Sequence, residues 1–397
     1  YRFSALGQQS SVGRTRTAPA ADAAATLRFA IASCQRYDVG HYAAWRHVAA
    51  ENLDVVFFLG DYIYEYASKP DAIRRCEGGV ARTLDDYRAR YATHKSDPLL
   101  QAAHASAPWL LVWDDHEVAN DYASMQPEAP EADFPARRAA AYRAYWEHMP
   151  FPKSVRPVGP DMRIVNRLDW GTLARIHLVD DRQYRDVQVC PKPGRGGSNT
   201  LTLAACPAFT DPKRTLLGFE QERWLADGWD TSRPWNLLAQ QSLMARFSWQ
   251  DPGDGGGVYW TDAWDGYPSA RNRLLGVVAA KKVPGVVVLG GDVHSNYVAD
   301  LKPDYDDPKS PVVASEFCGT SISSLGLPQS RLDVARPFNP HIRWSRSDQR
   351  GYMSFELGPK QIAARLQVVD RPLDPASGIT TVARFVVDAA RPGPVAA

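Results

Sequence analysis

Four apolar runs, each stopping at residues able to bind a metal, constrain this chain more than any other feature. LRFAIA leads to Ser33-Cys34, DVVFFL to Gly60-Asp61-Tyr62-Ile63-Tyr64-Glu65, PWLLV to Trp113-Asp114-Asp115-His116-Glu117, and GVVVL to Gly290-Gly291-Asp292-Val293-His294. Runs this short and this rich in branched and aromatic residues read as buried strands. Each therefore delivers thiol, carboxylate, phenol or imidazole groups to a strand's carboxyl end, where open α/β sheets build their ligand crevices. Helical patterns near 41–51, 83–94 and 133–148 separate strands at 27–33, 54–59 and 108–112, the βαβ rhythm of a mainly parallel sheet.

The middle of the chain adds strand runs near 162–168, 172–179 and 235–240, with helices near 218–228 and 269–281 and a loop over 248–267. Beyond His294 the pattern becomes strand–loop–strand, near 296–301, 312–317, 352–357, 361–369 and 380–387, which predicts a second sheet of more antiparallel character. One large two-sheet α/β domain accommodates all of this better than two independent ones. The tail after Asp388, AARPGPVAA, has no helical periodicity. A formal net charge of +1 over 397 residues gives no electrostatic footprint for nucleic acid. No apolar run approaches the ~20 residues that span a bilayer as a helix.

The four strand ends specify a chemistry. A multinuclear metal hydrolase needs a carboxylate that bridges ions, flanking ligands that hold each ion, and open positions for substrate and water. Asp61 is the bridging candidate, since it ends a buried strand directly after a glycine. Tyr64 can return to the same site as a phenolate, and Cys34 can join it as a thiolate; together they argue for iron over magnesium. Asp292 and His294, one residue apart, can serve adjacent ions. Asp115 and Asn120 offer oxygen ligands, which suit a hard ion such as calcium. The alternatives are bland: a helix-capping Asp61, a buried Cys34 acting as a small hydrophobe, tyrosines that only fill a core. Their joint occurrence at four strand ends favours the metal. His41, His47, His94, His104, His148 and His177 follow no ligand pattern and are assigned to the structure.

Cys190 and Cys206 bracket a loop rich in Gly, Pro and Ser. Either a disulfide closes it, which implies an oxidising compartment, or the two thiols are unrelated. Tyr1-Arg2-Phe3-Ser4-Ala5-Leu6 reads as a lone strand followed by linker. A lone strand needs partners, so residues 1–26 are expected to end a small β-domain lying mostly upstream.

At this point the residues are familiar as a set. Ser33-Cys34-Gln35, Gly60 to Glu65, Trp113 to Val118, Asp181-Arg182-Gln183-Tyr184-Arg185, Asp265-Gly266-Tyr267, Gly291 to His294 and Gly319 to Ser324 resemble the PhoD-like alkaline phosphatase family. These are calcineurin-like metallophosphoesterases in the broad sense, with some phospholipase D-type relatives. The resemblance runs from about residue 27 to about residue 358. It implies a four-layer αββα sandwich of two mixed sheets, with residues 27–397 as the catalytic domain, loaded with Fe3+ and Ca2+. By motif position Cys34 and Tyr64 would hold the iron, Asp61 would bridge, and Asp292 and His294 would complete the cluster. Asp115 would ligate the second metal or lie beside it, with Asn120 a further calcium ligand and His116 near the leaving group. Arg182 would touch phosphate or substrate, or else be buried against Asp180 or Asp181. Tyr1 to Pro19 resembles the last strand and linker of a preceding β-sandwich domain, expected in the precursor.

The expected function is hydrolysis of phosphomonoesters, phosphodiesters or both by a secreted or periplasmic enzyme, through a metal-activated oxygen nucleophile. The alternative is a phospholipase D-type diesterase, with Trp260, Trp264 and Tyr267 meeting a phospholipid surface. A third reading keeps the fold as a non-catalytic metal- or phosphate-binding protein. The pattern of the family has an aliphatic residue where this chain has Cys318, which leaves a bond to Cys76 open.

Overall fold

The computed structural model describes residues 1–253 and 256–397. Two seven-stranded mixed sheets carry the fold. In the first, Leu27–Ala32, Val55–Leu59 and Trp109–Val112 run parallel. Gly351–Leu357 pairs antiparallel with Leu27–Ala32, and Gln361–Val369, Ile379–Asp388 and Arg391–Ala396 extend that side as a meander. In the second, Ala174–Leu178, Trp235–Ala239, Val286–Gly290 and Ala314–Cys318 are parallel. Asn166–Trp170 closes one edge, and Asn296–Leu301 with Ile342–Arg346 the other, all antiparallel.

Alternation along the strands decides what each face meets. Phe29 stacks on Phe355 with ring centroids 4.6 Å apart, and Phe355 meets Phe317 of the second sheet edge-on at 5.2 Å. That aromatic contact lies between the sheets. On the neighbouring strand Phe57 meets Phe29 edge-on at 5.2 Å, and one residue along Phe58 turns outward to Trp45 of the helix Ala43–Ala50 and to Trp109. In the second sheet Val287, Leu289 and Leu237 join the core between the sheets. Val286, Val288 and Leu238 instead pack with Leu225 of the helix Phe219–Gly228 and Leu274 of the helix Pro268–Lys281. The layers are therefore helix, sheet, sheet, helix, as the resemblance implied. Local signals agree with the packing: Thr83 forms a capping box with Asp86, and Asp97 and Asp133 cap helices that open with proline at the first or second position.

Several segments differ from the sequence reading. Tyr1 to Leu6 is not a lone strand; Ser4–Ala5 pairs with Gln8–Gln9 as a short hairpin, and it turns at Leu6 and Gly7, both at positive φ. The stretch 248–267 is not all loop, because Val258–Trp260 pairs with Thr200–Thr202 from the 190–206 segment. Cys190 and Cys206 form a disulfide. Cys76 and Cys318 are both buried free thiols, and Cys318 Sγ donates to the Gly291 carbonyl at 3.2 Å, so no bond joins them. The tail after Asp388 is a strand, its alternation masked by two prolines. No helix among the described residues is long and apolar enough to cross a membrane.

The histidines assigned to the structure are largely tied into it. His94 donates through Nδ1 to the Arg90 carbonyl at 2.8 Å, and His104 shares a 2.7 Å hydrogen bond with the Tyr62 hydroxyl while stacking on Trp109. Burial pulls both imidazoles down to about 3. The unfolded chain protonates them near 6.5, so the stability they support is complete above that pH and is withdrawn as pH falls toward 3. The expected loss is on the order of several kcal/mol for the pair. Replacing His104→Gln should flatten the fall of melting temperature between pH 6.5 and 4; a slope unchanged from wild type would contradict the assignment.

Candidate metal centre

The parallel strands of both sheets end on the same side, and their carboxyl ends face one another. Continuing from Ala32, the Cys34 amide donates to the Gly60 carbonyl at 3.0 Å and the Gln35 amide to the Asp61 carbonyl at 3.0 Å. Across the sheets, the Ile322 amide donates to the Ser33 carbonyl at 3.0 Å. Cys34, Asp61, Asp292 and His294 all adopt left-handed backbone, with φ of 59°, 58°, 65° and 51°. Outside glycine this region is uncommon, with Asn, Asp and His entering it most often, and it costs on the order of 1–3 kcal/mol per residue. Gly60 is itself at φ 101°, and a Cβ there would stand 2.4 Å from Asp114 Cβ. Only glycine lets the second and third strand ends approach this closely.

Three overlapping donor groups result. Cys34, Asp61 and His294 form one, Asp61, Asp115 and His116 a second, and Asp114, Asp115 and Asp292 a third; within each, one donor atom per residue lies within 4.8 Å of the others. Tyr64 joins the first group, its hydroxyl donating to Asp61 Oδ2 at 2.7 Å and lying 3.1 Å from His294 Nε2. All line, or lie beneath, a cleft of about 440 Å³ whose wall includes Asp61, Asp115, His116, Asn120, Asp292 and His294.

The surroundings orient each donor. His294 Nδ1 donates to the Leu325 carbonyl at 2.8 Å, which turns Nε2 toward Tyr64 and Asp61. Ser324 Oγ lies 2.7 Å from the Tyr64 hydroxyl and 2.8 Å from the Cys34 carbonyl, holding those two strand ends together. Glu117 accepts the amides of Asp61, Tyr62 and Asp114 at 3.0, 2.5 and 2.8 Å. Glu65 takes His116 Nδ1 on one oxygen at 2.7 Å and the Asn120 amide on the other at 2.8 Å.

Charge is crowded here. Burial and Asp61 push Glu117 up to about 8. Burial also drives Cys34 and Tyr64 upward, with Asp61 the next cause for each. Burial raises Asp114 and Asp292 against the pull of Arg182, while Asp115, which burial alone would also raise, is held below the usual carboxylate range by Arg182 and His116. Burial alone would lower His116, but Glu65, Asp115 and Asp61 raise it well above its ordinary value.

Arg182 is 1% exposed and lies beneath this floor rather than on the cleft wall. Its guanidinium pairs with Asp114, meets Asp262 at 2.8 Å, and lies 3.8 Å from both Asp115 and Asp181. The buried alternative therefore describes it, with Asp114 and Asp262 as the main partners in place of Asp180 or Asp181. Asn120 lines the cleft. Trp264 and Tyr267 are fully buried and cannot meet a lipid surface; of that trio only the half-buried Trp260 reaches the cleft. Glu65, Asp114, Glu117 and Ser324 lie inside the motifs, but residue order does not reveal what they do, and nothing in the sequence marks the Leu325 carbonyl.

The donor set fits cations. Asp114 Oδ2, Asp115 Oδ1 and Asp292 Oδ2 are buried without a hydrogen-bond partner, an arrangement that burial penalises unless a positive charge meets them. A mixed sulfur, phenol, imidazole and carboxylate group beside an all-carboxylate group offers two kinds of site, one softer and one hard.

Comparison with known proteins agrees with this geometry. Residues 29–366 match the model of the PhoD-like phosphatase family. The chain is 41% identical over 398 residues to alkaline phosphatase D of Bacillus subtilis (strain 168), covering 97% of this chain and 66% of that relative's length. A solved structure described as "Structure of PhoD" superposes with a TM-score of 0.91 at 39% identity, covering 100% of this chain and 76% of the other.

Adding calcium to chelator-treated protein should raise its melting temperature. A cation at a hundred times its Kd contributes about 2.7 kcal/mol, and Asp115→Asn and Asp292→Asn should each remove most of that rise. Equal stabilisation of wild type and both variants, read by scanning calorimetry, would put the cation elsewhere.

Proposed function

Since the chain belongs to the PhoD-like phosphatase family, we propose that it is a metal-dependent phosphoesterase acting on phosphomonoesters and phosphodiesters. The observation that carries the reading is the meeting of the three donor groups at the floor of one open cleft. In this proposal Cys34, Asp61, Tyr64 and His294 hold Fe3+, the thiolate and phenolate favouring iron. Asp114, Asp115 and Asp292, with Asn120 at the wall, hold Ca2+. When bound, the ions supply Lewis-acid neutralisation of phosphoryl charge and lower the pKa of water.

The chain's own residues do the rest. Ser324 and the Leu325 carbonyl keep the phenol of Tyr64 and Nε2 of His294 turned inward. Glu117 fixes the backbone of Asp61 and Asp114. His116, tied through Nδ1 to Glu65, offers its other nitrogen to the departing oxygen. Arg182 offsets carboxylate repulsion from below and positions Asp114 and Asp115. Neither a serine nor a cysteine is needed as a covalent nucleophile, and Cys34 as a ligand would be unavailable for that role. Soluble esters are the substrates of this reading; the burial of Trp264 and Tyr267 withdraws support from a phospholipid surface. Export to an oxidising compartment belongs to the same proposal, supported by the Cys190–Cys206 disulfide.

Purified protein should contain iron and calcium by elemental analysis, show a tyrosinate-to-iron absorption band, and hydrolyse p-nitrophenyl phosphate and its bis-ester. Asp61→Asn should cut turnover on the order of a hundred-fold or more, and Tyr64→Phe should abolish the band. Zinc or manganese alone would remove the special role of Cys34 and Tyr64. A metal-loaded protein inert on both esters would restore the non-catalytic reading.

A further inference from the structure

The cleft has two halves of opposite character. Its floor is the acidic donor cluster; its other half is built from Leu243, Phe247, Trp249, Trp260, Val293 and Tyr297. Phe247 meets Trp249 edge-on at 4.9 Å and Tyr297 at 5.4 Å, giving a continuous aromatic wall. The wall is preformed. The Phe247 amide donates to Asp265 Oδ2 at 2.8 Å, the Trp249 amide to the Val258 carbonyl at 2.9 Å, and the exposed Arg331 guanidinium lies 5.2 Å from the Trp249 ring centroid. Asp265, which also reaches the cleft, is already paired with Arg271 at 2.6 Å.

We propose that this half is a subsite for the leaving alcohol, selecting phosphate esters whose alcohol carries an aromatic or bulky apolar group. The inference rests on the phosphoesterase reading and adds its substrate class. Three observations support it. The lobe opens from the same cleft as the donor floor, with Val293 lying between Asp292 and His294. At about 440 Å³ the cleft is in the range of small-molecule sites and holds far more than a phosphate group. The lobe's surface is mainly rings and aliphatic carbon, with Thr200 and Arg331 as polar groups at its margin, so a polyol such as glycerol would lose hydration there and regain few hydrogen bonds. A phenyl group stacks on such walls with geometry they already have.

The test compares 2-phenylethyl phosphate with ethyl phosphate and glycerol 3-phosphate, alkyl esters whose leaving groups differ little in basicity. Wild-type kcat/KM should favour the phenylethyl ester by roughly ten- to a hundred-fold, the range expected for burying one such group. Trp249→Ala and Trp260→Ala should each bring that ratio toward one. Phe219→Ala, in the groove between the helices Phe219–Gly228 and Pro268–Lys281, should preserve it. Inhibition of the wild type by 2-phenylethylphosphonate should exceed that by ethylphosphonate by a similar factor, a readout that needs no variant to fold. Equal efficiency on all three esters, equal inhibition by the two phosphonates, or a ratio that survives both tryptophan changes would overturn the subsite alone. No turnover of any ester by metal-loaded protein would overturn the phosphoesterase reading and the subsite with it.

Discussion

Mutual repulsion among Asp61, Asp114, Asp115 and Asp292 is the constraint to which the rest of the molecule responds. Two like charges at the separations found here repel by about 3–4 kcal/mol at an effective dielectric of about 20, and four of them share one floor. A single guanidinium, Arg182, reaches that floor, and its charge is divided with Asp181 and Asp262. Arg182 and the His116 imidazolium together cannot offset four carboxylates, which is why three buried oxygens remain without partners. The surrounding groups are arranged to tolerate this excess. Glu117 satisfies the amides of the strand ends, and Arg185 supports Asp262 from behind.

The second device is backbone strain. Cys34, Asp61, Asp292 and His294 lie just past strand ends in a conformation that L-residues avoid. An extended continuation would point successive side chains to opposite faces of the sheet; the left-handed kink lets them turn inward together. The ladder that precedes each kink, and the bonds from Ser324 and Leu325 that follow, hold the strain in place. Gly60 is the counterpart: it contributes no donor, and its missing side chain is what admits Asp114.

Much of this could be read from residue order, and the exceptions have physical reasons. Short continuous apolar runs mark the strands, and the acidic, thiol and imidazole groups at their ends mark the site. Residues whose role is to orient others were harder, because Glu65, Glu117 and Ser324 each have a partner between 51 and 290 positions away, whatever nearer contacts they also make. Arg182 was ambiguous because an arginine near phosphate chemistry and an arginine beneath carboxylates read alike until burial is known. Aromaticity alone leaves Trp264 and Tyr267 open to a lipid surface or to packing, and both fill the core against the helix Pro268–Lys281. The strands Val258–Trp260 and Arg391–Ala396 escaped notice because three residues, and a pair of prolines, erase periodicity.

One pairing sets the order in which the molecule can be built. Leu27–Ala32 lies between Val55–Leu59, its near neighbour in sequence, and Gly351–Leu357, with Phe29 opposite Phe355. Arg28 and its partner Glu356 on Gly351–Leu357 are 328 positions apart, and until that later strand is in place the strand that carries Cys34 has one bare edge and half of its aromatic packing. Contacts this distant in sequence slow folding and expose unpaired edges on the way. Cys34, Asp61 and Asp115 thus wait for Asp292 and His294 before the pocket can close. A chaperone that holds the early strands apart would find here a substrate with little to lose by waiting.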